Sequence, residues 1–144
     1  MTIRRVDPDE ASKLLGEGWT YLDVRSVAEF VQGHPTGAYN VPLLDQVPGH
    51  GLRPNPDFVA EVKAAFETKR RLVVGCKAGG RSVAAARMLA EAGYGEIVDM
   101  RGGFSGEMES AGRVSCAGWA SRGLPVSTQA EPGRSYSDLK ARKR

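Results

Sequence analysis

The 144-residue sequence has no run approaching the roughly 18 apolar residues that a membrane-spanning helix needs, and Met1-Thr2-Ile3-Arg4-Arg5 lacks the apolar core of a signal peptide. The expected location is soluble and intracellular: cytoplasmic or, if a transit peptide has been removed, a plastid or other organelle. Cysteine and histidine are equally scarce, with only Cys76, Cys116, His34 and His50. Two cysteines so far apart make neither a disulfide framework nor a zinc-ligand spacing, so no metal and no cofactor is expected. There is also little net charge outside the C-terminus. Of the +3 total, residues 127–144 carry the whole excess, with five basic and two acidic side chains. The rest is neutral and lacks the basic stripe that nucleic acid requires, so no nucleic-acid partner is expected. That terminal stretch, with Ser, Pro, Gly and few large apolar groups, reads as a disordered basic tail.

What is present suits one ordinary domain. A 41% hydrophobic and 26% charged composition at this length supports a single core, placed at residues 1–126. Asp7-Pro8-Asp9-Glu10 signals a helix start, with Asp7 as N-cap and Pro8 in the first turn, and Ser26-Val27-Ala28-Glu29 repeats the capping pattern. Between them, Trp19 to Val24 reads as a buried strand, and Ala38 to Val41 as another. Residues 43–56 read as a surface loop, followed by a helix carrying Val59, Val62, Ala65 and Phe66 inward. Lys69-Arg70-Arg71 precede a strand and would lie at its amino end, away from the crevice where open α/β sheets bind ligands.

The stretch from Leu72 to Gly93 carries the chemistry. Leu72-Val73-Val74-Gly75 is a β-branched strand; Val83 to Gly93 is rich in Ala, Leu and Met and closes on Gly, as a helix does. Between them stands Cys76-Lys77-Ala78-Gly79-Gly80-Arg81-Ser82. A thiol at the head of a Gly-rich loop that curls toward a helix N-terminus faces backbone N–H groups, and such a nest favours the thiolate and a bound anion. Two chemistries fit these residues: attack on a sulfane sulfur and attack on a phosphate or arsenate. Cys116 reads as a bystander that would resolve an oxidised Cys76 only if the fold brought them close. His34 reads as a hydrogen-bonded turn residue rather than a base.

Cys76-x-x-Gly79-x-Arg81-Ser82 after an apolar strand resembles the active loop of single-domain rhodaneses, most closely the small plant and bacterial type. Two further stretches share the resemblance: Leu22-Asp23-Val24-Arg25 with Glu29-Phe30, and Gly33-His34-Pro35-Thr36-Gly37-Ala38-Tyr39-Asn40-Val41-Pro42. The resemblance implies an α/β fold with a central, mostly parallel five-stranded sheet and helices on both faces. It implies a sulfurtransferase in which Cys76 takes sulfur from thiosulfate as a persulfide and passes it to cyanide or to a thiol such as glutathione or thioredoxin. Lys77, Ala78, Gly79, Gly80, Arg81 and Ser82 would form the anion cradle, with Lys77 and Arg81 supplying positive charge. Asp23 or Glu29, paired with Arg25, would position backbone beside the loop. Cys76 to Arg81 is one residue shorter than the loop of phosphatases sharing the fold, which places a phosphatase or arsenate reductase behind a sulfurtransferase. A binding or redox-sensing module remains the alternative from another class. Arg101-Gly102-Gly103-Phe104 resembles the family's Gly-Gly-aromatic turn, but Trp119 arrives late, which implies an insertion at about residues 105–116 that either lengthens a helix or folds over the pocket. Oligomeric state is not legible.

Overall fold

Short apolar runs that recur along the chain come together as neighbours. The computed structural model describes residues 3–77, 80–108, 112–129 and 131–142. Its first half runs β1 (Arg4–Val6), α1 (Pro8–Gly16), β2 (Thr20–Asp23), α2 (Val27–Gln32), β3 (His34–Pro35), β4 (Tyr39–Asn40), β5 (Leu44–Val47), β6 (Gly51–Pro54) and α3 (Phe58–Ala65). The second half runs β7 (Leu72–Gly75), α4 (Gly80–Glu91), β8 (Ile97–Met100), β9 (Glu107–Met108), β10 (Val114–Cys116), a 3₁₀ turn (Ala120–Arg122), β11 (Val126–Ser127) and α5 (Tyr136–Arg142).

The five-stranded sheet has the order β1-β8-β7-β2-β4, and all four pairings are parallel. Every residue of β2, β7 and β8 is buried, as a parallel sheet covered on both faces demands. Alternation sorts the side chains. Leu22, Leu72 and Val74 pack with Phe58 and Val62 of α3 and Leu89 of α4; Tyr21, Val73 and Val98 pack with Ala11 and Leu14 of α1, Phe30 of α2 and Trp119. Helices therefore cover both faces, as expected. The local caps form too: Glu10 N–H donates to Asp7 Oδ1 at 2.8 Å, and Ser26 and Glu29 make a reciprocal capping box.

Three segments differ from the sequence expectations. Residues 43–56 contain an antiparallel hairpin, β5–β6, rather than a plain loop. The stretch expected as an insertion contains a second antiparallel pair, β9–β10, rather than a lengthened helix, with residues 109–111 outside the described residues. The C-terminal segment, expected to be disordered, packs on the domain over residues 131–142. Leu139 is 6% exposed in the core beside α3, Tyr136 Oη donates to both oxygens of Glu61 at 2.8 Å, and Arg134 donates to Gly37 O at 2.6 Å while lying over the Tyr39 ring. A few well-placed groups suffice to order a segment of weakly apolar composition when complementary partners lie along its path. Ala130, Lys143 and Arg144 lie outside the described residues.

Candidate active site

Parallel strands all point their carboxyl ends to one edge, and the chain leaves β7 there directly into Cys76. Tyr21 explains the glycine just before it: a Cβ on Gly75 would sit 1.8 Å from the Tyr21 hydroxyl oxygen. Cys76 is 1% exposed, and its Sγ–H donates to Ser82 Oγ at 3.5 Å. α4 begins at Gly80, so Gly80, Arg81 and Ser82 form its first turn rather than a loop before it. The first N–H groups of a helix have no partner within it and, with the helix dipole, favour an anion at that end. Lys77 is exposed; Ala78 and Gly79, expected in the cradle, lie outside the described residues.

The backbone around Cys76 is clamped from two sides. Val24 N–H donates to Gly75 O at 3.0 Å, while Phe104 N–H donates to Cys76 O at 2.7 Å and Ser105 N–H to Lys77 O at 2.8 Å. The Gly-Gly-aromatic turn thus fastens directly to the cysteine loop. Gly103 has φ +62°, and a Cβ there would meet Lys77 O at 2.5 Å and Cys76 O at 2.6 Å, so only glycine allows this approach.

Asp23 and Arg25 form a buried pair after β2. Arg25 Nε and Nη2 donate to the Asp23 carboxylate at 2.7 to 3.1 Å, Nη2 also donates to Gly33 O at 2.7 Å, and the guanidinium lies 4.4 Å from the Phe104 ring centre. Burial disfavours the Arg25 cation, but Asp23 more than offsets this and raises its pKa. Asn40 Nδ2 donates to Asp23 O and Arg25 O, stapling the same turn; the sequence placed it in a strand and in the resembling stretch Gly33–Pro42 but gave it no role. Glu29 does not pair with Arg25. Its two oxygens accept from Arg81 at 2.8 and 3.0 Å, because the capping box at Ser26 turns Glu29 toward α4 while Asp23 already saturates Arg25.

Asp99 was missed altogether, although a carboxylate inside the apolar run Ile97–Met100 is a signal for a partnered buried charge. It is 0% exposed in β8, where Arg5 donates to its Oδ2. His34 is buried, stacked on Phe30, with Nδ1 at 2.8 Å from Phe30 O and Nε2 at 3.2 Å from Glu131, so it is hydrogen-bonded as expected, but from strand β3 rather than a turn. Cys116 is also a free thiol; it packs beside Gly102, with Arg122 Nη2 at 3.4 Å from its sulfur. Two clefts, of about 340 and 450 Å³, open elsewhere and include none of residues 76–82; they are lined respectively by Trp19, Tyr39 and Arg134, and by Phe66, Lys69 and Arg71. No helix among the described residues is long and apolar enough to cross a membrane.

A buried cysteine between a central parallel strand and a helix N-terminus, with paired charges around it, defines an α/β protein with a thiol at the strand-to-helix loop. The rhodanese-like domain family model matches residues 7–109, and the chain belongs to that family. It is 40% identical over 116 residues to thiosulfate sulfurtransferase 16, a chloroplastic protein of Arabidopsis thaliana, covering 81% of this chain and 86% of that one. Thiosulfate sulfurtransferase 18 of the same plant is 31% identical, with 88% of this chain and 85% of that one covered. Against rhodanese-like domain-containing protein 15, also chloroplastic, the match is 40% identical but spans 51% of the relative's length. The crystal structure of the M. tuberculosis protein Rv0390 superposes with a TM-score of 0.74 at 25% identity, covering 90% of this chain and all of that one.

Proposed function

We propose that this chain is a sulfurtransferase that moves sulfane sulfur from thiosulfate through a Cys76 persulfide to cyanide or a thiol. The Cys76 thiolate attacks the outer sulfur of thiosulfate, the S–S bond breaks, and sulfite leaves with the electron pair. The acceptor then attacks the outer sulfur of the persulfide, and Cys76 departs as thiolate. The carrying observation is the placement of Cys76 itself: buried at the end of β7, in contact with Ser82 in the first turn of α4, with the exposed cation of Lys77 beside it. Helix-end N–H groups at Gly80, Arg81 and Ser82 would hold the negative charge that develops on the persulfide. Asp23, Arg25 and Glu29 position backbone and the Arg81 side chain rather than touch sulfur.

The acceptor side draws on a further observation. Met108 and Val114 face each other across the β9–β10 hairpin, each 59% exposed, and that hairpin follows directly on the turn bonded to Cys76 and Lys77. An exposed apolar pair in this place favours a protein thiol, such as a thioredoxin, over a small acceptor. The chloroplastic relatives support a plastid as the compartment for this exchange.

The test is intact mass after incubation with thiosulfate and no acceptor, for the wild type and Cys76→Ser. We expect a gain of one sulfur atom on the wild type alone. No gain with thiosulfate, mercaptopyruvate or polysulfide would overturn the enzyme reading and leave a binding module.

A further inference from the structure

The Cys76 thiol does not end at Ser82. Ser82 Oγ accepts from Cys76 Sγ, and the Ser82 side chain also acts on the Asp99 carboxylate, favouring its ionised form. All three side chains are shut off from solvent: Cys76 is 1% exposed, Ser82 and Asp99 0%. The Asp99 Oδ1 atom is buried with no hydrogen-bond partner among the described residues, while Oδ2 is held by Arg5. β7 and β8 are parallel with Val74 opposite Asp99, so the sheet register itself brings the carboxylate beside the strand that delivers Cys76. The charged and titratable groups around Asp99 are Arg5 on β1, Glu107 on β9 and Tyr21 on β2; those around Cys76 are Tyr21 again and Arg81 on α4. Burial pushes the Asp99 carboxyl up, and Ser82 and Arg5 oppose this without cancelling it.

We propose that Cys76 and Asp99 share one proton through the Ser82 hydroxyl, which makes Asp99 a positioning residue for the nucleophile. In the resting arrangement the thiol donates to Ser82 and Ser82 donates to the carboxylate. To form the thiolate, the S–H bond breaks and its proton passes to Ser82 Oγ. The proton already on Ser82 moves to Asp99, and sulfur keeps the electron pair. Both hydrogen bonds then run the other way: Asp99 donates to Ser82, and Ser82 donates to the anionic sulfur. One negative charge stays in the buried site throughout, so the nucleophile forms without burying a second. Once the persulfide has passed on its outer sulfur, the thiolate is regenerated and the proton returns along the same path. This deepens the sulfurtransferase reading and rests on it, since it gives Cys76 the role of nucleophile.

The test is the rate of Cys76 alkylation by iodoacetamide as a function of pH, in a Cys116→Ser background, for otherwise wild-type protein, Asp99→Asn and Ser82→Ala. This readout needs no sulfur donor, so its failure is distinct from a failure to take sulfur from thiosulfate. A shared proton makes the titration a property of the pair. We expect the wild-type rate to flatten over about one pH unit, where Asp99→Asn keeps rising about tenfold per unit. Ser82→Ala, which keeps the charge but removes the bridge, should lose the flattening as well. A wild-type profile that rises in one unbroken step would overturn the proposal. So would a Ser82→Ala profile that keeps the wild-type break, because Asp99 would then act by charge alone. If Asp99→Asn does not fold, as judged by its thermal transition, the wild-type and Ser82→Ala profiles still decide.

Discussion

Arg81 and Glu29 meet face to face, with Arg81 Nη1 and Nη2 each on one carboxylate oxygen at 2.8 and 3.0 Å. The pair ties the first turn of α4, just after the cysteine loop, to the first turn of α2. It also answers the charge of Arg81. Among the described residues Lys77 is then the cation next to Cys76 that no carboxylate engages.

Glu29→Gln should reveal the pair through its pH dependence. Burial alone would raise the Glu29 carboxyl, but hydrogen bonds from Arg81 and Ser26 outweigh it and hold the pKa at about 2. A folded value below the ordinary 4.5 means that the stabilisation is complete above pH 4.5 and fades as the pH falls toward 2. We expect Glu29→Gln to lose about 2 kcal/mol near neutral pH and almost nothing near pH 2, measured by denaturant unfolding across that range. A loss that does not change with pH would assign the effect to packing.

Lys77→Ala should act on donor binding rather than on chemistry. We expect KM for thiosulfate to rise about three- to tenfold with kcat nearly unchanged, and the difference to shrink as salt is added. Steady-state kinetics at low and high ionic strength check this. A fall in kcat at constant KM would instead place Lys77 in the transition state.

Gly103→Ala should displace the cysteine loop. Its Cβ would collide with the backbone of Lys77 and Cys76, whereas a Cβ on Gly112, also left-handed at φ +82°, would meet nothing within 4 Å among the described residues. Gly112→Ala therefore isolates the conformational penalty, about 1 kcal/mol. We expect Gly103→Ala to slow persulfide formation by about tenfold or more and to cost more stability than Gly112→Ala. Equal effects from the two would show that the loop is not clamped by this approach.

Removing residues 130–144 should destabilise the domain. The deletion strips Glu131 from His34 and Gly37, Arg134 from Gly37 O, and Leu139 from the core. A loss of about 2 to 4 kcal/mol is expected by denaturant unfolding, with the sulfur gain on Cys76 retained at low temperature. An unchanged transition would return the segment to the status of a tail.

Much of the site could be read in advance because it is local. Leu72 to Gly75 writes a buried strand in four consecutive residues, and Ser26 and Glu29 satisfy each other across one helical turn. Glu29 shows where that reading stops. The sequence offers Arg25 and Arg81 as cations of equal merit, and the nearer one was the natural choice. The choice fell to Arg81, 52 residues away, because Asp23 occupies Arg25. The partners of Asp99 were hidden for the same reason: Arg5 and Ser82 come from a distant strand and a distant helix, although a carboxylate in an apolar run already signals that partners exist.

By itself the sequence determined what depends on neighbours along the chain: the strand, the capped helices, the thiol at the head of a Gly-rich loop and the family signatures. Alternation and capping act over one to four residues, and no tertiary arrangement is needed to state them. Only the tertiary structure decided which charges pair, whether residues 131–142 pack, that β9 and β10 pair, and that Cys76 lies against Ser82 with Asp99 beyond it. Those outcomes depend on sheet order and register, which place remote side chains within hydrogen-bond reach and seal them from water.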